Sequence, residues 1–199
     1  MTRQLRTHPT IGVCGLDCGL CPRYYTVGVS RCPGCCGPNF FSKHPSCSFI
    51  TCCVKRKGLE VCAECSEFPC QKFKDAKTYE SLETLSYPPY RKIIPNIRLI
   101  RAHGIREFMK QQRKRIRLLE RMIAGYDDGR SRSLFCRAAA LLTVRSLVDS
   151  LREASRIAKK NGFGSADKKK KADVIKGLLY AASLKENINL RPKSASARR

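Results

Sequence analysis

Cysteine is concentrated in one short part of this chain, and this concentration limits what the segment can fold into. Of the 13 cysteines, 12 lie between Cys14 and Cys70, so about one residue in five of that stretch is cysteine. This density exceeds the roughly 8–10% that marks a cysteine scaffold. Because the stretch is also rich in turn-forming Gly and Pro and has few long apolar runs, we expect it to need stapling by disulfides or by metal ions.

The N-terminal sequence favours metal over disulfides. It contains charged residues but no apolar run of about 7–15 residues, so no secretory signal is predicted. No stretch approaches the roughly 18 apolar residues of a membrane span. We therefore expect a cytoplasmic protein with reduced thiols, and clustered reduced thiols usually bind metal. A secreted disulfide protein is the alternative, and the sequence does not indicate an oligomeric state.

Cysteine spacing indicates tetrahedral metal sites. Three C-x2-C pairs are present: Cys18 and Cys21, Cys32 and Cys35, Cys62 and Cys65. Two residues between thiols let both sulfurs reach one ion from a tight turn. More than eight thiols are available, and a structural zinc site contributes on the order of 10–16 kcal/mol to folding. We predict about two zinc ions, with an iron–sulfur cluster as the alternative because it also takes four thiolates.

Two more specialised cluster chemistries are disfavoured. The C-x3-C-x2-C spacing of Cys14, Cys18 and Cys21 resembles the motif of radical S-adenosylmethionine enzymes, but the rest of the chain lacks the alternating strands and helices of a barrel. The dipeptide Cys21-Pro22 resembles the end of a bacterial ferredoxin motif, but the full C-x2-C-x2-C-x3-C spacing is absent.

No catalytic constellation stands out, so the sequence assigns no reaction and favours a binding protein over an enzyme. Cys136 is interpreted as a buried helix residue rather than a reactive thiol. His44 is interpreted as an exposed loop residue, with a substitute metal ligand as the alternative. The loop that contains Asp127, Asp128 and Arg130 is interpreted as a turn.

The sequence after the cysteines predicts helices. Apolar residues recur at three- and four-residue spacing from Asn96, a candidate cap after Pro95, with Gly104 as an early break. A second helix is predicted over 134–160, and a third from after Ser165 to about residue 186.

The predicted fold is therefore mainly α, with a small metal-stapled module followed by a three-helix bundle. The cysteine-rich module covers residues 1–73, and its segment "TIGV" predicts a short strand. A proline-containing connector covers 74–95, the basic helical bundle 96–188, and a disordered basic tail 189–199.

The cysteine blocks resemble those of one known family. The matching segments are "CGLDCGLCPRYY" at 14–25, "CPGC" at 32–35, Cys47, Ile50 and Cys53, "KG" at 57–58, and "CAECSEFPCQKF" at 62–73. With them the chain resembles the cysteine-rich prokaryotic domain-of-unknown-function family 3795. The resemblance implies metal binding in a cytoplasmic prokaryotic setting, without an assigned reaction. The metal-ligating positions it implies are Cys14, Cys18, Cys21, Cys32, Cys35, Cys47, Cys53, Cys62, Cys65 and Cys70. Cys36 and Cys52 are extra neighbours of these positions.

Positive charge is concentrated in the second part of the chain. Of the formal net charge of +24, residues 71–199 contribute +20. A helical stripe in "KQQRKRIRLLER" consists of Lys110, Arg113, Lys114, Arg117 and Arg121, and residues 168–171 form a second patch. This charge favours nucleic acid or an acidic protein surface as a partner. A merely solvated basic face is the alternative, and the absence of Trp argues against a membrane-surface helix.

Overall fold

The computed structural model describes residues 6–44, 47–75 and 88–191. Over these ranges the chain is mainly helical, as predicted, and it contains no β-strand. The predicted strand at "TIGV" is wrong, because this segment turns and the amide of Gly12 donates to the carbonyl of Leu16 at 2.6 Å. Much of the predicted connector (76–87) and of the predicted tail (192–199) lies outside the described residues.

The helices vary widely in length. The α-helices of the described ranges are α1 (Phe40–Lys43), α2 (Gln71–Asp75), α3 (Ile93–Tyr126), α4 (Arg132–Leu141), α5 (Val144–Lys160) and α6 (Lys168–Lys185). A π-helix spans Ile50–Arg56, and 3₁₀ helices span Cys18–Leu20, Pro22–Tyr25, Cys62–Glu64 and Pro88–Lys92. In this part of the chain, no helix has both the length and the apolar character that a membrane crossing requires.

The chain divides into two compact units between Lys110 and Gln111, within α3. We call residues 6–110 the cysteine unit and residues 111–191 the helical unit. The division falls later than the predicted boundary near residue 95. The reason is that the first half of α3 contributes to the core of the cysteine unit through Ile93, Ile94, Ile97, Ile100, Phe108 and Met109.

The core of the cysteine unit is therefore more apolar than its sequence suggested. Together with the α3 residues it buries Ile11, Val13, Phe40, Ile50, Val61 and Phe73. Four cysteines are buried in the same core: Cys35, Cys36, Cys53 and Cys62. Apolar surface from a helix that follows the cysteine-rich segment thus supplies part of the interior that the segment lacks.

Helix α3 meets the N-terminal segment at Gly15. The helix begins at Ile93 and not at Asn96, because a proline in the first turn, here Pro95, breaks no intrahelical hydrogen bond. The Asn96 side chain instead donates to the carbonyl of Gly15 at 2.9 Å. Gly15 has φ +89°, and a Cβ at this position would lie 2.7 Å from Ile97 Cγ1 and 2.8 Å from the carbonyl oxygen of Ile93. Only glycine fits this contact.

The prediction of one second helix over 134–160 is wrong, because this segment forms two helices, α4 and α5. One guanidinium nitrogen of Arg115 donates to two carbonyls at the end of α4, at 2.7 Å each. The hydroxyl of Thr143 accepts from the amide of Ser146 at 3.2 Å and caps α5. These bonds satisfy free carbonyls at the end of α4 and a free amide at the start of α5. The chain therefore turns between the two helices, even though the apolar spacing continues through the break.

Helices α5 and α6 bury stripes with three- and four-residue spacing. The buried apolar residues of these stripes are Leu147, Leu151, Ala154 and Ala158 in α5, and Ala172, Ile175 and Leu179 in α6. The predicted third helix is confirmed by α6. The predicted break at Gly104 is also confirmed, since this residue is non-helical inside α3 with φ 80° and ψ 159°.

We expect Gly15→Ala to destabilise the cysteine unit by about 2–6 kcal/mol, because a strained positive φ and an overpacked contact each cost roughly 1–3 kcal/mol. Gly58→Ala is the matched control: Gly58 has φ +65°, but a Cβ there meets nothing within 4 Å. Its expected cost is only about 1 kcal/mol. Urea unfolding followed by circular dichroism measures both variants, and equal losses would contradict the close contact with α3.

Candidate metal centre

The 12 cysteines of the cysteine unit are free thiols, and all of them are buried or half-buried. Ten of them can be assigned to three groups from the thiols that influence their pKa values or from the cavity they line, and the groups adjoin, because Cys14 acts on Cys62 and Cys21 acts on Cys18. The Cys14 group contains Cys14, Cys18, Cys35 and Cys47, the Cys32 pair contains Cys21 and Cys32, and the Cys62 group contains Cys53, Cys62, Cys65 and Cys70. Together these are the ten positions implied by the sequence resemblance.

A small cavity brings the Cys62 group together. Its volume is about 20 Å³, which is room for one water molecule or one metal ion. The cysteines that line it are Cys52, Cys53, Cys62, Cys65 and Cys70. Phe73 also lines the cavity, and its ring centroid lies 4.8 Å from that of Phe49 and 4.9 Å from that of Phe68. The sulfurs therefore share a confined space with an aromatic wall.

Short helices and turns place these thiols around the cavity. The π-helix Ile50–Arg56 carries two of the lining cysteines. The amide of Cys65 donates to the carbonyl of Cys62 at 3.2 Å, which closes this C-x2-C pair into one turn. The amide of Phe73 donates to the carbonyl of Cys70 at 2.9 Å, where α2 begins. The predicted tight turn between paired thiols is thus present at the cavity.

Neighbouring groups shift the pKa values of two thiols in the Cys62 group. A hydrogen bond between the Cys53 and Cys62 side chains is the largest cause of a lowered pKa at Cys53 and of a raised pKa at Cys62. Lys57 Nζ lies 3.4 Å from Cys65 Sγ. Hydrogen bonds with Glu67 first, and then with Cys65, raise the pKa of Lys57. A permanent positive charge therefore stands at the rim of the thiol cavity.

Burial dominates the Cys14 group. It raises the pKa of Cys14 to about 11, with smaller contributions from the charges of Cys35 and Cys47. Burial also raises the pKa of Cys18 well above its ordinary value. Cys35 differs, because a hydrogen bond with the Cys36 side chain lowers its pKa to about 6. The group thus combines a readily ionised Cys35 with Cys14 and Cys18, which burial keeps neutral.

Arg6 connects the two larger thiol groups through its charge. Its guanidinium is buried and donates to the carbonyls of Glu60 and Ile11, at 2.8 Å each, and to the carbonyl of Cys35 at 3.3 Å. After the thiol–thiol hydrogen bonds, the Arg6 charge contributes to the lowered pKa of both Cys35 and Cys53. No sequence pattern predicts that an arginine outside the cysteine blocks lies in this interior.

His44 lies beside the Cys32 pair, and its interpretation as an exposed loop residue is wrong. Its Nε2 lies 3.2 Å from Cys32 Sγ, and its ring stacks on Phe40 with centroids 4.5 Å apart. Burial first, and then the charge of Arg23, lowers the pKa of His44, so the ring is neutral and able to ligate metal. The sequence placed His44 close to Cys47, but only the fold reveals its contact with Cys32.

The thiols share neighbourhoods without converging on one point. Across the part of the chain that the structure describes, no three His, Cys, Asp or Glu side chains have the geometry to hold a single ion. A cysteine side chain turns about one torsion with three staggered positions, so a change of rotamer redirects a lining sulfur without moving the backbone. The donor chemistry fits a soft or borderline cation, because thiolate and imidazole suit zinc and iron and do not suit magnesium or calcium.

The residues considered for catalysis have structural roles. Cys136 is fully buried in α4, as predicted. Asp128 accepts from the hydroxyl of Ser131 at 2.7 Å, and Asp127 accepts from Arg132 at 2.7 Å. These bonds hold the turn before α4 and confirm the interpretation of that loop.

The cysteine unit also matches a known family. The family model described as Protein of unknown function (DUF3795) aligns with residues 10–75. This stretch belongs to that family. The DUF3795 stretch includes all ten implied cysteine positions and about a third of the 199 residues, so the helical unit lies outside it. No curated protein and no solved structure matches the chain significantly.

Oxidation of the metal-free protein is expected to link Cys53 to Cys62, because both line the same small cavity and each is the largest influence on the pKa of the other. Diamide accepts the two thiol hydrogens and is reduced to the hydrazine as the disulfide forms. Peptide mass spectrometry without reductant identifies the linked cysteines. Cys136 is the internal control, since its full burial should leave it unmodified. Pairing of Cys53 with a cysteine of the Cys14 group would contradict the described arrangement.

Proposed function

We propose that the cysteine unit binds about two structural zinc ions through its thiols. The observation that carries the proposal is the cavity of about 20 Å³ lined by five cysteines. This volume suits one ion, and four thiolates are a common ligand set for structural zinc. The assignment draws support from the match of the same cysteines to the DUF3795 family.

The two larger thiol groups are the proposed ligand sets. The Cys62 group supplies four thiols to one ion, and the Cys14 group supplies four to the other. Cys52 lines the same cavity as the Cys62 group, and Cys36 is hydrogen-bonded to Cys35, so each set has a spare thiol beside it. The Cys32 pair with His44 supplies three further donors.

Bound zinc would contribute on the order of 10–16 kcal/mol of folding free energy at each site. The chain's own residues prepare for this by gathering thiols from distant segments and by placing Arg6 and Lys57 beside them. Both cations stabilise thiolates, the form in which cysteine ligates metal. We place the protein in the cytoplasm, where such thiols remain reduced.

An iron–sulfur cluster is the alternative for the same ligands, since it also takes four thiolates. The cavity favours zinc over this alternative. A volume of about 20 Å³ is little more than the roughly 10–15 Å³ that one water molecule needs. A cluster of several iron and sulfide ions requires more space than that.

Anaerobically purified full-length protein is expected to contain about two zinc ions per chain by elemental analysis. The double variant Cys62→Ser/Cys65→Ser removes two ligands of one proposed site and should lose about one ion. Cys136→Ser is the matched control and should retain both ions, because Cys136 belongs to the helical unit. Iron with acid-labile sulfide would contradict zinc, and unchanged zinc in the double variant would contradict the ligand assignment.

We also propose that the basic surface of the helices binds a polyanion, with nucleic acid favoured over an acidic protein surface. The exposed cations of the α3 stripe are Lys110, Arg113, Lys114, Arg117 and Arg121. Among the described carboxylates, only Glu107 forms an ion pair with this stripe, at 3.7 Å from Lys110. Exposed cations at this density, with one carboxylate among five, are the electrostatic footprint of phosphate binding.

Binding of the full-length protein to a fluorescein-labelled oligouridine RNA of about 20 nucleotides should weaken steeply with salt. Four single-strand phosphate contacts give a slope of about −3 when the logarithm of the association constant is plotted against the logarithm of salt concentration. Fluorescence anisotropy between about 50 and 200 mM NaCl measures the slope. An uncharged peptide nucleic acid of the same sequence is the control and should not bind. A flat salt profile for the RNA would contradict the proposal.

A further inference from the structure

A concave surface of the helical unit is lined almost entirely by cations and apolar groups. Its volume is about 500 Å³. The residues that line it are Arg121, Val148, Leu151, Arg152, Ser155, Arg156 and Lys159, and we call this surface the basic groove. No carboxylate is among these described lining residues, which contribute four positive charges.

Helical periodicity builds one wall of the basic groove. Val148, Arg152, Ser155 and Lys159 follow one another in α5 at spacings of four, three and four residues, and therefore form one stripe along the helix. Leu151 is buried between this stripe and the core. Arg121 comes from α3 and completes the cationic lining. The apolar floor and the charged rim thus come from adjacent faces of the same amphipathic helix.

Neighbouring carboxylates pair with two of these four cations. Arg152 pairs with Asp149 at 3.3 Å and Arg156 pairs with Glu153 at 2.6 Å, both along the exposed surface of α5. Exposed pairs of this kind contribute little to stability and exchange readily with other anions. No ion pair of Arg121 or Lys159 is found within the described residues.

We propose that the basic groove binds the sugar–phosphate backbone of single-stranded nucleic acid. The proposal rests on the polyanion binding proposed above and specifies its site and its ligand. Three of the four cations are arginines, whose planar guanidinium donates two parallel hydrogen bonds to a phosphate. The Ser155 hydroxyl is a further donor, and the apolar floor suits the sugar between phosphates.

The length of the cationic surface favours a polymer over an isolated phosphate. Arg113, Lys114 and Arg117 continue along α3 from Arg121, and eight residues of α-helix cover about 12 Å. All four side chains are exposed. A single anion would occupy one end of this path, whereas a strand with regularly spaced phosphates follows it. The groove contains no aromatic side chain for base stacking, so we expect binding with little sequence preference.

The test compares two triple variants of the full-length, zinc-loaded protein. The groove variant is Arg152→Gln/Arg156→Gln/Lys159→Gln. The control variant is Arg130→Gln/Arg145→Gln/Lys185→Gln, which removes the same residue types and the same charge from exposed positions of the helical unit outside the groove. Binding of the labelled oligouridine RNA is measured by anisotropy across a salt series. Circular dichroism melting checks that both variants are folded. If the groove variant is not folded, Arg121→Gln tests the other wall of the groove.

We expect the groove variant to bind at least about tenfold more weakly and to reduce the magnitude of the salt slope by about two, since each lost phosphate contact removes about 0.7. The control variant should change the dissociation constant by less than about threefold. Equal losses in both variants would overturn the groove assignment while leaving polyanion binding intact. If the unmodified protein does not bind the RNA at low salt, both the groove assignment and polyanion binding are overturned. If polyglutamate at equal charge displaces the RNA, the assignment of nucleic acid as the ligand is overturned in favour of an acidic protein.

Discussion

Whether a buried thiol of the cysteine unit can ionise depends on the cation or hydrogen-bond donor beside it. An ionised thiol away from water is costly unless a cation or a hydrogen-bond donor lies next to it. Arg6 meets this need from within the chain, as a buried guanidinium that hydrogen-bonds to three carbonyls and whose charge acts on Cys35 and Cys53. One arginine cannot balance two groups of four thiols, and divalent ions would balance the remainder.

The sequence predicted the local features well and the long-range contacts poorly. The C-x2-C turn at Cys62, the helix α6 and the break at Gly104 follow from spacing and backbone preference alone. The separation of α4 from α5 depends on Arg115, which reaches the turn from another helix. The contact of His44 with Cys32 likewise depends on how the chain folds back. Periodicity carries no information about such partners.

The two units offer different chemistry to different ions. The cysteine unit gathers soft sulfur donors around a space for one cation, whereas the helical unit exposes guanidinium and ammonium groups to solvent. Two zinc ions, each held by four thiolates, would lower the formal net charge from +24 to about +20. Metal loading therefore leaves the protein strongly basic, and the two proposed functions do not compete electrostatically.

The contribution of α3 to the core of the cysteine unit matters for any fragment that is limited to the family stretch. The alignment ends at residue 75, but the hydrophobic core of the same unit extends to Phe108 and Met109. A fragment that ends at residue 75 would lack α3 and would leave the surface around Gly15 uncovered. Apolar side chains such as Ile11 and Val13 would then lose neighbours. Such a truncated domain is prone to self-association. The compact unit is longer than the aligned stretch, and its border lies in the middle of a helix.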